Sequence, residues 1–204
     1  MRVARPSFAA IERLMKGLIL PFYAINRDIT AALSTGRRLE NNAEHSWALA
    51  VMACALAPHV DTSLDVGKVC QYAVVHDIVE IYAGDTSILA TDEHHDSKDD
   101  REQAALTRIK KEFAVFSWIG ETMEGYHGHA SPEARFVRSV DKCLALWTLY
   151  TDEAKHDRDA GLTLEFVKEQ MVRQREKAKA HEGAFEYYEE IHAALIAHPE
   201  FFTR

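Results

Sequence analysis

Four polar residues fall at positions whose neighbours turn them inward: His45, the adjacent pair His76-Asp77, and Asp141. Asp141 is the clearest case, because Val137, Leu144 and Ala145, three and four residues away, place it on an apolar helical stripe. A buried carboxylate without a partner is costly, so this one calls for a cation, a hydrogen-bond network or a proton. Two imidazoles and two carboxylates make a mixed nitrogen and oxygen donor set. It suits a divalent ion such as Mn, Co, Fe, Zn or Mg, with coordination positions left for water. Taken one at a time the residues have plainer explanations: His45 as a satisfied core histidine, and Asp141 as the partner of Arg138 or Lys142 on its own helix. One ion satisfying all four is the sharper expectation, and it fits a chain with 11 histidines, several of them beside carboxylates.

These residues need helices to position them. Ile11, Leu14, Met15, Leu18 and Ile19 mark one face of a first helix that stops near Pro21, and the stretch 22–42 is less regular. His45, Leu49, Met52 and Leu56 share the inner face of a second helix over 43–58. Asp65 caps a third, which the pattern carries unbroken through Val69, Ala73 and His76 to a stop at Gly84. Residues 85–100 read as a polar loop. A helix resumes around Glu102 and runs to Gly120, after which Gly125, His127, Gly128 and His129 read as a second loop. Ser131-Pro132-Glu133 starts a helix that runs to about Glu153, and further helices cover 163–180 and 184–197. Nine glycines and five prolines in 204 residues leave few tight turns, and there is neither a repeat nor a linker. The expected fold is therefore all-α, a single-domain helical bundle over 1–204. Its core spans about 37–153, and the C-terminal helices, 163–197, pack on it.

Composition narrows the chemistry. A formal net charge of −8 provides no basic field for phosphate backbones or anionic lipid, so neither a nucleic-acid polymer nor a membrane is an expected partner. Cys54, Cys70 and Cys143 lie in apolar runs and form no C-x-x-C pair, which suits reduced core thiols. Glu12, Arg13 and Lys16 interrupt the apolar residues of the first twenty, leaving neither a signal-peptide core nor a membrane span; the cytoplasm is the expected compartment. No G-x-x-x-x-G-K-S/T loop, G-x-G-x-x-G fingerprint or G-x-S-x-G elbow occurs.

Three runs taken in order closely resemble the H…HD…D signature of the HD superfamily of metal-dependent phosphohydrolases: Glu44-His45-Ser46, then Val75-His76-Asp77, then Val140-Asp141-Lys142. Arg38-Leu39-Glu40-Asn41 upstream, with Glu80 and Gly84-Asp85 after the HD pair, resembles the 5′-deoxynucleotidase branch over about residues 37–153. The resemblance implies a helical fold and one divalent metal held by His45, His76, Asp77 and Asp141. It also implies hydrolysis of deoxyribonucleoside 5′-monophosphates to nucleoside and phosphate, and a homodimer. A metal there would activate water and neutralise phosphoryl oxygens. Glu80, one helical turn beyond His76, could act on the attacking water or the leaving oxygen. Asp85 could orient water, hold a second cation or protonate the leaving group. Arg38 could hold the phosphate by a bidentate contact.

The branch carries an Arg-Trp pair upstream of its first metal histidine that favours deoxyribose. This chain has Arg27 but no tryptophan in that stretch, so the expected substrates are nucleoside 5′-monophosphates of both sugars, with a modest deoxy preference. His94, His95, His127 and His129 lie where two-metal members of the superfamily place extra ligands, which makes a two-metal phosphodiesterase or an oxygenase the alternative. A non-catalytic module using the metal as a staple is a third reading, opposed by Glu80 and Asp85 beside a complete ligand set.

Overall fold

The structure, a computed structural model, describes residues 5–33, 36–86, 93 and 96–203. The chain opens with α1 (Phe8–Leu14), capped by Ser7, followed by a π-helical turn over Met15–Ile19 and a short α2 (Leu20–Phe22). The irregular stretch that follows is an antiparallel hairpin, β1 (Asn26–Leu33) paired with β2 (Gly36–Asn41). Neither strand alternates apolar with polar residues, so a period-two reading finds nothing there. Polar ties hold the hairpin to the helices instead: Thr30 Oγ1 donates to Asp152 Oδ2 at 2.6 Å, and Arg37 Nε lies 3.0 Å from the other oxygen of that carboxylate. The register pairs Asn26 with Asn41 and Thr30 with Leu39, so Arg27, Asp28 and Ile29 bulge opposite Glu40 alone.

β2 runs straight into α3 (Asn42–Val60) through a capping box. The Asn41 side chain accepts from the Ala43 and Glu44 amides, and the Glu44 carboxylate accepts from the Asn41 amide. This fixes His45 on the first turn. The third helix, expected to be continuous, is broken in two. Asp65 caps α4 (Val66–Val75), which ends before the histidine, and α5 (Glu80–Ala83) follows a tighter turn in which the Glu80 amide bonds the Asp77 carbonyl. The cause is local. The Ala73 carbonyl, which an unbroken α-helix would pair with the Asp77 amide, accepts from His76 Nδ1 at 2.9 Å. Gly84, with φ 75°, stops α5 where the sequence places the stop.

α6 (Lys98–Glu112) starts ahead of Glu102 and ends at Phe113, short of Gly120. After a 3₁₀ turn, α7 (Ser117–His127) runs through most of the segment read as a loop. Gly125 serves close packing rather than a turn, since a Cβ there would come within 2.8 Å of the Tyr72 hydroxyl. α8 (Pro132–Thr151) begins on its Ser131 cap as expected. Glu153 and Ala154, both left-handed, turn the chain into a short α9 (Lys155–Asp159) that no sequence pattern announces. α10 (Leu164–Ala178) and α11 (Glu182–Ile196) follow. Apart from the hairpin the fold is all-α, as expected. One apolar cluster joins α3, α4 and α8 around Leu49, Val69 and Phe136; another joins α8, α10 and α11 around Leu146, Met171 and Tyr188. A third packs α6 and α7 around Ile109 and Met123. Each fully buried large side chain contributes about 1.5–3 kcal/mol, and α8, shared by two clusters, is the fixed rail on which Asp141 stands.

Candidate metal centre

His45 on α3 and His76 at the end of α4 are each held from behind. His45 Nδ1 lies 3.2 Å from Glu40 Oε2, and His76 Nδ1 donates to the Ala73 carbonyl. With Nδ1–H engaged, the Nε2 lone pair of each ring points inward. His45 Nε2 is 3.0 Å from Asp141 Oδ1, and His76 Nε2 is 3.9 Å from the same oxygen and 2.9 Å from Asp77 Oδ2. These are acceptors facing acceptors, and His76 Nε2 is buried with no hydrogen-bond partner. With both rings neutral, a cation between them reconciles the arrangement, as a proton on each ring would, and the donor set fits a divalent cation. Donor atoms of His45, His76 and Asp141 all lie within 4.8 Å of one another, and this is the only such group of three among the described residues.

The neighbouring charges act on the same atoms. Burial opposes it, but Lys142, together with His45 and His76 when they carry a proton at Nε2, holds Asp141 well below the usual carboxylate range. Lys142 Nζ lies 2.5 Å from Asp141 Oδ2, so the ion pair named as the plainer alternative exists, and it leaves the other oxygen to the histidines. Asp77 is likewise held low by His76 and Arg27 against the effect of burial. Its Oδ2 is 2.7 Å from Arg27 Nη1. Three of the four expected ligands thus converge, while Asp77 stands beside His76 with its carboxylate toward Arg27.

Residues 27–182 match the family model for the HD domain. The chain belongs to the HD-domain family. Human 5′-deoxynucleotidase HDDC2 is 29% identical over 109 residues, 52% of this chain and 52% of that protein, so the chain spans about half the length of this curated relative. Among solved structures, a "Predicted metal-dependent phosphohydrolase" from Magnetospirillum magnetotacticum MS-1 is similar over the full length of both chains, with a TM-score of 0.76 and 24% identity. The PH0347 protein from Pyrococcus horikoshii OT3 is similar over 91% of this chain and 97% of its own, with a TM-score of 0.61 and 24% identity. At that identity the two structures show a shared fold.

Around this HD-domain centre the tighter turn after His76 still brings Glu80 to the cavity that the donors line, together with Asp85. Glu80 is buried, and its Oε2 accepts from Asn42 Nδ2 at 2.5 Å. Burial, with Asp77 and Asp85 nearby, pushes its pKa well above the ordinary value; burial also raises that of Asp85, against the pull of Arg27. Arg38 is placed elsewhere. It is exposed, clasps Glu44 with Nη1 2.7 Å from Oε2, and so braces the cap of α3 rather than lining the cavity. The arginine in the cavity is Arg27, turned there by the bulge with Asp28 and Ile29. Sequence reasoning gave no role to Glu40, Asn42 or Lys98, because none repeats with the helical periodicity that marks the ligands. The upstream Arg-Trp pattern was the one signal for Arg27. Among the described residues His127 and His129 join no cluster of three donors: His127 Nδ1 is 3.9 Å from Glu102, and His129 Nε2 contacts Arg138. His94 and His95 lie outside the described residues.

Proposed function

We propose that this HD-domain protein is a metal-dependent phosphohydrolase that releases phosphate from nucleoside 5′-monophosphates of both sugars, with a modest preference for deoxyribose. One observation carries the reading: the donors of His45, His76 and Asp141 converge beside a cavity that His45 and Asp141 line together with Glu80, Asp85 and Arg27. A divalent ion held by those three, with Asp77 as a fourth donor, supplies positive charge to the phosphoryl group and acidifies water. Arg27, whose guanidinium is kept charged by Asp77 and Asp141 despite burial, binds phosphoryl oxygens, and Lys98 adds a second cation. Glu80, oriented by Asn42 and favouring its protonated form, donates to the leaving 5′ oxygen. Asp85 orients the attacking water. The cavity lining carries seven carboxylates against Arg27, Lys98, Lys142 and Lys177, a balance that suits one terminal phosphoryl group but not a longer anionic chain. No tryptophan lies between Asn26 and Gly36 to offer an apolar plane against C2′, so a ribose hydroxyl costs little.

Likeness to the human 5′-deoxynucleotidase supports this substrate class. A homodimer is part of the same reading: Trp47 and Val51, one turn apart on α3, are exposed apolar residues that a second copy would cover. So is a reducing, cytoplasmic setting, which suits three free thiols. No described helix is long and apolar enough to cross a membrane. The test is phosphate release by metal-loaded protein from dAMP, AMP, dATP and a cyclic dinucleotide. Both monophosphates should be cleaved, within about tenfold of each other, and well ahead of dATP. Rapid cleavage of the diester with no action on either monophosphate would overturn the reading.

A further inference from the structure

The cavity has a second end. Ala145 and Leu149 lie four and eight residues beyond Asp141 on one face of α8 and line it too, so it follows the helix for about 12 Å away from the metal donors. Ile29, Leu146 and Met171 make the rest of that wall apolar. One charged group interrupts it. Asp157 on α9 is 7% exposed, lines the cavity, and has no hydrogen bond or ion pair through its side chain among the described residues. The charges that bear on it are His156 and Asp152, whereas those that bear on Lys177 are Lys142, Lys98, Arg138 and Asp141. Lys177 therefore lies toward the metal centre, and Asp157 away from it. Gln174, on the same face of α10 as Met171, is the neighbouring polar group on that wall.

A nearly buried carboxylate without a partner is expensive to keep, and the cost is recovered when a ligand supplies the missing donors. Resting on the nucleotide reading above, we infer that this end is the base pocket and that Asp157 selects guanine. The two oxygens of a carboxylate accept in parallel from two adjacent N–H groups. Guanine presents that edge, its ring N1–H beside its exocyclic amino group. Adenine and cytosine set a ring acceptor beside their amino group, and thymine and uracil have one N–H between two carbonyls. Each of those leaves a carboxylate oxygen unpaired or facing another acceptor, the kind of mismatch a polar pocket rejects most strongly. The apolar wall packs against the base, and Gln174 can donate to its carbonyl.

The experiment pairs calorimetric binding of the four deoxynucleosides with phosphate release from the four deoxynucleoside monophosphates, for wild type and Asp157→Asn. A bidentate contact discriminates by about 10- to 100-fold. Deoxyguanosine should bind tighter than deoxyadenosine by that factor, and dGMP should lead dAMP in kcat/KM, mainly through KM. Asp157→Asn, which puts an amide donor where an acceptor stood, should abolish both advantages while its metal content and near-ultraviolet circular dichroism match wild type. Equal treatment of the four bases by wild type, or an unchanged ratio in a folded Asp157→Asn, overturns the inference. Phosphate release without base discrimination sinks the pocket and leaves the phosphohydrolase. Selective deoxyguanosine binding without phosphate release from any monophosphate does the reverse.

Discussion

The two ends of the cavity are built on opposite terms. At the metal end each reacting group is braced: Glu40 behind His45, the Ala73 carbonyl behind His76, Lys142 on Asp141, Arg27 on Asp77 and Asn42 on Glu80. At the apolar end Asp157 shares the wall with Leu146, Leu149 and Met171 and has no hydrogen-bond or ion-pair partner among the described residues. Metal binding and proton transfer reward fixed geometry, because a small misplacement of a reacting group is costly. Discrimination rewards the opposite, a polar group that only the right ligand completes.

Breaking the braced end should produce the largest effects. His76→Ala or Asp141→Ala should weaken metal affinity by more than about 100-fold, beyond the range seen when only a supporting partner is lost; elemental analysis showing full metal in both would dissolve the centre. Glu80→Gln should keep its metal yet lose about 10²–10⁴ in kcat, and wild-type turnover would remove Glu80 from proton transfer. Arg27→Ala should lower kcat/KM about 10- to 100-fold, the worth of one to two charged hydrogen bonds. Arg38→Ala, which loosens only an exposed pair, should stay within about twofold. The reverse ranking would restore Arg38 as the phosphate ligand.

At the apolar end the expected effect is on stability and has a sign of its own. Burial raises Asp157 to about 6, above its unfolded value, so its ionised form costs stability above pH 6 and that cost fades as the pH falls toward 4. Asp157→Asn should therefore stabilise the fold by roughly 1–3 kcal/mol at pH 7.5, with the gain shrinking through pH 6. Urea unfolding at several pH values measures it; a variant less stable at pH 7.5 would mean that the carboxylate has a stabilising partner.

His45 and Asp141 were legible because they sit on regular helices, where a histidine or aspartate on an apolar stripe stands out, as Asp141 does beside Val137 and Leu144; His76 and Asp77 lie just beyond the end of α4. The caps at Asp65 and Ser131 set helix starts by local chemistry and were equally readable. What the sequence hid depends on distant partners. The hairpin is tied by Thr30 to Asp152, 122 residues away, and only its bulge explains why Arg27 rather than Arg38 faces the cavity. The break after Val75 arises from a side chain competing for a backbone carbonyl, which hydrophobic periodicity does not register. Asp157 lies on a five-residue helix entered through two left-handed residues, too short for any repeat to show.

The most direct test of the metal centre is the anomalous scattering of zinc in crystals of the loaded protein. One peak should appear about 2.0–2.2 Å from His45 Nε2, His76 Nε2 and an oxygen of Asp141, with Asp77 turned from Arg27 to complete the set. A stoichiometric peak away from these three residues, at His127 and His129 for example, would contradict the account.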